Sequence, residues 1–225
     1  MKQLKNIKTR TAMYFIGLFV MTIGIALSVK SNLGVSPVSS IPYTMTCIWG
    51  IEMGKATILF HSCLVGLQIL LLRKNFKSSN LLQVAVGIVF GYFTTFCNWC
   101  VSFLPDPPNM GVRIGMMLLS TVVIAFGIFL YMPPNIMPLA GEGAMKAVAD
   151  VSGIEFSKVK IGFDISMVVI SLITCMIFLK NFGSVGIGTI IAALFVGMVL
   201  GFLTKKFAAV RDQWLFASCQ EERHA

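Results

Sequence analysis

Charge is what this sequence has least of. Only 12% of its 225 residues are Asp, Glu, Lys or Arg, about half the share of an ordinary soluble domain. Histidine occurs twice, at His61 and His224, too few and too far apart in context for a metal cage. HExxH, GxSxG, GxxxxGK[ST] and GxGxxG are all missing, so the common hydrolase, nucleotide-binding and dinucleotide-binding chemistries have no foothold. The sequence points to no catalytic residues, no cofactor and no metal, and an enzyme is not expected. The six cysteines mostly lie inside apolar runs, where cysteine behaves as a small hydrophobe, and imply no disulfide framework. Cys97-Asn98-Trp99-Cys100 has CxxC spacing, but without a second pair or a nearby histidine it carries little.

What is present is apolar length. Hydrophobic residues make up 56% of the chain and mean hydropathy is +0.85. Stretches 11–29, 81–104 and 185–204 contain no charged residue and have the roughly 20-residue length that crosses a bilayer. The net charge of +9 comes from small basic groups at the ends of these runs, which read as topology signals and not as a nucleic-acid surface. Residues 1–10 and the following apolar run also fit a signal peptide ending at Ala26-Leu27-Ser28. A counterpart at 114–132, which no signal peptide explains, makes a first spanning helix the better reading.

That counterpart belongs to a longer pattern. GIEMGKATILFH at 50–61 returns as GIEFSKVKIGFD at 153–164, with six of twelve positions identical where roughly one is expected for average composition. At the same spacing Gly24 pairs with Gly127, Leu27 with Leu130 and Asn32 with Asn135. After a three-residue insertion, Lys74-Asn75-Phe76 meets Lys180-Asn181-Phe182 and Gly91 meets Gly197. The expected organisation is all-α and polytopic, with two tandem membrane repeats at 1–104 and 113–206, a linker at 105–112 and a cytoplasmic tail at 207–225. Each repeat has three full spans (11–29, 56–72, 81–104; 114–132, 161–179, 185–204) and one short segment (34–50; 137–152). No separate soluble domain is expected.

The short segments carry the functional expectation. Ser36-Pro37 suggests an N-cap with proline at the first helical position, and Pro42 is expected to interrupt the helix begun there. Pro138 precedes the second segment, which Gly153 can end. Ten to fourteen helical residues reach only about 15–20 Å, short of the roughly 30 Å hydrocarbon core, so these are expected to be half-helices or re-entrant loops. If they re-enter, the second repeat is inverted, both termini are cytoplasmic, and Lys and Arg divide 14 inside to 4 outside. Full crossing gives 13 to 5, so the positive-inside rule separates the two only slightly.

Few polar groups in this setting could bind or couple. Glu142, between Gly141 and Gly143, starts the second short segment, where a carboxylate suits the helix N-terminus; a plain capping acid is the alternative. Asp164 stands where the other repeat has His61, an acid facing an imidazole across a duplicated scaffold, which suits proton coupling. Lys160 and Asp164, one turn apart, are alternatively a simple ion pair. Ser36 and Ser39 offer hydroxyls at the first short segment. Glu52-Lys55 and Glu155-Lys158 read as interfacial, and Gly186, Gly188 and Thr189 as a close-packing helix start.

These residues resemble a known family. GIALSVKSNLGVSP in the first half, with PLAGEGAMKAV, KxKIGFD and GIGTIIAALFVG in the second, is similar to the bacterial YczE/YyaS/YitT polytopic membrane proteins, most of all the YczE-like branch. The resemblance covers nearly the whole chain. It implies a multi-pass protein of the bacterial inner (plasma) membrane, and it transfers no catalytic residues. The leading expectation is a small secondary transporter for an anionic or zwitterionic solute, with Glu142, Asp164 and His61 as candidates for coupling a proton. The alternative is a non-transporting scaffold, regulator or accessory subunit assisting a protein partner, and a lipid-handling role is a third. Expected contacts are the lipid bilayer and a small solute, with a homo-oligomer or protein partner left open and no nucleic acid.

Overall fold

A computed structural model describes residues 7–215 of the chain, and all of its regular elements are helical. Six helices are long and apolar enough to span a bilayer: α1 (Ile7–Ser31), α3 (Met53–Leu72), α4 (Leu82–Ser102), α5 (Met110–Tyr131), α7 (Phe156–Phe178) and α8 (Ile187–Leu215). Two short ones, α2 (Pro37–Trp49) and α6 (Ala140–Ser152), have 13 residues each, about 20 Å of helix. The protein is a polytopic helical membrane protein. Its element boundaries keep the spacing of the sequence match, since α5, α6 and α7 each begin 103 residues after α1, α2 and α3.

Turn chemistry explains the boundaries. Both short helices end on a left-handed glycine, Gly50 at φ 66° and Gly153 at φ 71°, the conformation that closes a helix without a Cβ clash. Asn32 and Asn135 follow α1 and α5 at φ 53° and 49°, in the same left-handed region that asparagine tolerates. Asn109 caps α5, its side chain accepting from the Val112 amide at 2.9 Å.

Two expectations for the first short segment need correction. Pro42 does not interrupt it: α2 is continuous from Pro37 to Trp49 with Pro42 inside, and packing against α3 and α7 holds the turn together. Ser36 does occupy the N-cap with proline next to it, but its hydroxyl makes no cap bond and reaches the Ser39 hydroxyl at 3.2 Å. Beyond residue 206, α8 continues to Leu215, so the first nine residues of the expected tail are helical.

The centre of the bundle is the crossing of α1 and α5. Glycines make it close. A methyl placed at Gly24 would lie 2.6 Å from Ile124 Cγ1 and 2.8 Å from the Ile124 nitrogen, and one at Gly127 would lie 2.6 Å from the Met21 nitrogen. Gly17 meets Gly127 and Tyr131, while Gly24 meets Ser120 and Ile124, so residue numbers rise on one helix as they fall on the other. The two helices are antiparallel. At one end Lys30, in the last turn of α1, donates to Asp106 in the loop before α5 at 2.6 Å. At the other, Arg10 donates to the Pro134 carbonyl at 2.8 Å and Tyr14 to the Met137 carbonyl at 2.8 Å.

The remaining helices arrange themselves around this crossing in corresponding pairs. α4 packs on α1 as α8 packs on α5, α6 on α3 as α2 on α7, and each short helix on the span next in sequence. The correspondence departs most at the last two spans of each half. α3 and α4 pack tightly, Gly54 against Gly91 and Thr95, whereas α7 and α8 hardly touch and a methyl at Gly197 would meet nothing within 4 Å.

Candidate functional site

The two short helices come together at their first turns. Gly141 at the start of α6 faces Val38 at the start of α2, where a methyl on the glycine would stand 3.7 Å from Val38 Cγ1. First-turn amides of any helix lack intrahelical partners and carry the positive end of its dipole. Beside this meeting point lies a cavity of about 350 Å³, lined by residues from all eight helices.

Its wall contains most of the residues singled out by sequence. Ser36, Ser39, Gly141, Glu142, His61, Lys160 and Asp164 all line it. The eighth, Gly143, sits one residue further on against the amide ends of Gln68 and Gln83, where a methyl would come within 2.6 Å of Gln83 Oε1. Apolar side chains fill out the rest, among them Met21, Ile25, Met53, Phe90, Ile124 and Met145.

Each polar group has a distinct setting. Glu142, in the first turn of α6, neighbours the buried Tyr131, whose hydroxyl makes no hydrogen bond of full geometry. Tyr14 stands edge-on behind it, ring centroids 6.0 Å apart. Lys160 donates to Asp164 Oδ2 at 2.8 Å, as the simple ion-pair reading has it. The other carboxylate oxygen, Oδ1, is buried without a partner, which leaves an acceptor on the cavity wall for a donor from elsewhere. His61 is 3% exposed and stacks on Phe90 at 5.6 Å with an 8° interplanar angle. Its Nδ1 is buried and unpartnered. His61 and Asp164 share the cavity but are not hydrogen-bonded to each other.

Sequence reasoning passed over Gln68 and Gln83. Both are fully buried, at 0% and 1% exposure. Gln68 Nε2 donates to Gln83 Oε1 at 2.8 Å and to the Ala140 carbonyl at 3.2 Å, tying α3 and α4 to the start of α6. A glutamine in each of two apolar runs was the available signal. Tyr14 and Tyr131 were likewise missed, tyrosine being too common near membrane interfaces to stand out.

Other motifs resolve into packing. Gly186 and Gly188 approach the Leu33 carbonyl, the Gly188 amide donating to it at 2.8 Å, and Gly34 at φ 106° takes up the close contact. Ser171 donates to Ser40 at 2.9 Å, joining α7 to α2. Lys55 lies 3.8 Å from Glu52 on an exposed face, while Glu155 accepts from Ser157 at 2.7 Å. Of the CxxC pair, Cys97 is buried against Thr22 at 3.2 Å and Cys100 is exposed, so the two sulfurs sit in different environments.

Comparisons with known proteins agree with a membrane protein. A family model described as "Family of unknown function (DUF6198)" matches residues 8–205. The chain is similar to the "Uncharacterized membrane protein YczE" of Bacillus subtilis (strain 168), 25% identical over 194 residues that cover 86% of this chain and 84% of that one. The resemblance to YczE-like membrane proteins therefore holds. No solved structure matches.

Proposed function

We propose that this chain, which belongs to the DUF6198 family of unknown function, is a small secondary transporter of the bacterial inner membrane whose substrate is an amphipathic zwitterion. The observation that carries the reading is the shared cavity: two half-length helices start at its wall and seven of eight sequence-selected residues line it. Broken or short helices whose N-termini face a central site are a recurring transporter device.

Charge balance selects the zwitterion. The cavity wall carries Glu142 and Asp164 against one lysine, Lys160, which suits a substrate ammonium. The first turns of α2 and α6 supply partial positive charge for a substrate anion. Apolar walls suit a nonpolar substituent, and the volume falls in the range of small-molecule sites. Proton coupling falls to Asp164, Glu142 and His61.

An inverted duplication is part of the same proposal. It is supported by the matched helix starts, by the antiparallel α1–α5 crossing and by the Lys30–Asp106 contact, which puts the end of α1 and the start of α5 on one side. Two crossings, α3 and α4, then separate them, and α2 and α6 re-enter. Both termini would be cytoplasmic, as the basic residues favour.

The test is a thermal-shift panel of zwitterionic, anionic and cationic metabolites on purified protein, and then flux in proteoliposomes. A ligand at one hundred times its Kd stabilises the native state by about 2.7 kcal/mol. Zwitterions should shift the wild type and not Glu142→Gln. No binding across the panel, together with a stoichiometric co-purifying protein and no flux, would instead establish the accessory-subunit reading.

A further inference from the structure

The broken correspondence between α3–α4 and α7–α8 opens the cavity sideways. On one flank Gly91 and Gly54 close the seam: a methyl on Gly91 would collide with Ile58 and with the Gly54 carbonyl, the latter at 2.7 Å. On the other, Gly197 occupies the position that matches Gly91 in sequence, and nothing stands within 4 Å of where its methyl would be. Cavity-lining residues lie on both sides of this gap, Ile161 and Asp164 on α7, Ala193 and Gly197 on α8. Ile161 is also 61% exposed. The site is therefore continuous with the outer surface of the bundle, which for these spans is the lipid phase.

The chemistry of the gap is graded. Ile161, Phe156, Val196 and Leu200 make its sides apolar, while Lys160 and Asp164 stand on the α7 wall with one carboxylate oxygen unpartnered and buried. A soluble zwitterion entering here would lose its hydration against hydrocarbon-like walls, at a cost the single ion pair does not offset. A lipid-phase amphiphile desolvates the same head, but its chain stays in apolar surroundings throughout, so the apolar sides of the gap suit it and offer nothing to a chainless solute. We infer that the α7–α8 gap is a lateral portal through which a membrane-dissolved zwitterion with an acyl or alkyl chain enters, its head at Asp164, Lys160 and Glu142 and its chain held between α7 and α8.

This rests on the proposed zwitterion site and adds the substrate class and the route. Binding of O-phosphoethanolamine and of its alkyl esters, butyl to decyl, to protein in amphipol separates the two. Affinity should rise about fourfold per methylene where the chain is buried. Gly197→Phe fills open space, so it should fold as wild type by circular dichroism and size exclusion. It should flatten the chain-length dependence while leaving binding of the head alone intact. Gly201→Phe, also with free space around it but outside the cavity lining, should change neither. Head-group binding sensitive to Glu142→Gln but indifferent to chain length would overturn the portal and leave the central site standing. Chain-length dependence untouched by Gly197→Phe, or a second copy of the chain cross-linked across α7 and α8, would overturn it as well. Absence of all binding would remove both.

Discussion

Alanine substitution at four glycines tests both the central crossing and its failure at the periphery. At Gly24 and Gly127 the added methyl would stand 2.6 Å from its nearest neighbour and 2.8 Å from backbone of the opposing helix. Ordinary contact begins near 3.4 Å, so α1 and α5 would have to separate by several tenths of an ångström along a seam that neither backbone can leave. Overpacking of this kind costs about 1–3 kcal/mol, against which alanine returns up to about 1 kcal/mol of helix propensity. Gly24→Ala and Gly127→Ala should therefore each destabilise by about 1–2 kcal/mol, and by similar amounts, because Ile124 stands to Gly24 as Met21 stands to Gly127. Gly91→Ala should also destabilise, since Ile58 and the Gly54 carbonyl block it. Gly197→Ala meets nothing and should gain up to about 1 kcal/mol. Reversible unfolding in mixed micelles with increasing sodium dodecyl sulfate, monitored by circular dichroism, reads all four. If Gly24→Ala and Gly127→Ala differed by more than about 1 kcal/mol, or Gly197→Ala were as costly as Gly91→Ala, the reasoning from corresponding helix pairs would fail.

Asp164→Asn should change stability by under about 1 kcal/mol, because a half-exposed i,i+4 pair is weak, yet abolish the pH dependence of uptake in proteoliposomes; pH-dependent transport in the variant would remove Asp164 from coupling. Gly143→Ala drives a methyl into the Gln68 and Gln83 amides; with the Ala140 link strained it should cost about 1–3 kcal/mol and weaken ligand binding in the thermal-shift assay. Lys30 holds the Asp106 carboxyl below the usual carboxylate range, by hydrogen bond first and by charge second. A depressed folded-state value means that the contribution is present above the ordinary carboxylate pKa and fades as pH falls through the folded one. Lys30→Gln should move the Asp106 titration, measured by carbon-13 NMR, up to the ordinary range and leave neutral-pH stability unchanged, Asp106 being an exposed group.

Much of this molecule was legible because its signals are local. A left-handed glycine at 50 and 153, an asparagine at 32 and 135 and a proline at or just before the start of each short helix act within a turn of themselves, so the sequence match carries the helix starts with it. The candidate cavity residues were legible for another reason: a polar group that survives in a largely uncharged chain has few places to go. Three features were not. Pro42 looked like a breaker, and only the packing of α2 on α3 and α7 shows that the helix passes through it. Gln68 and Gln83 gain their meaning from each other and from the Ala140 carbonyl, which lies 72 residues from Gln68 in sequence. Finally, the α7–α8 gap leaves no mark in hydropathy, because a residue facing lipid and a residue facing an open seam are equally apolar.

That last blindness bears on function. For the proposed transporter, the charged cavity at the meeting of two half-helices is the place to look for a substrate, since each buried polar group costs free energy unless paired. Here Asp164 Oδ1, His61 Nδ1, the Tyr131 hydroxyl and Gln68 Oε1 lie buried without a hydrogen bond of full geometry, and Asp164 and His61 line the cavity, while Ser171 and Ser40 find each other across helices. Under the proposed reading a substrate would supply the partner that Asp164 Oδ1 lacks, and the loosely packed α7–α8 pair would be its route from the lipid face.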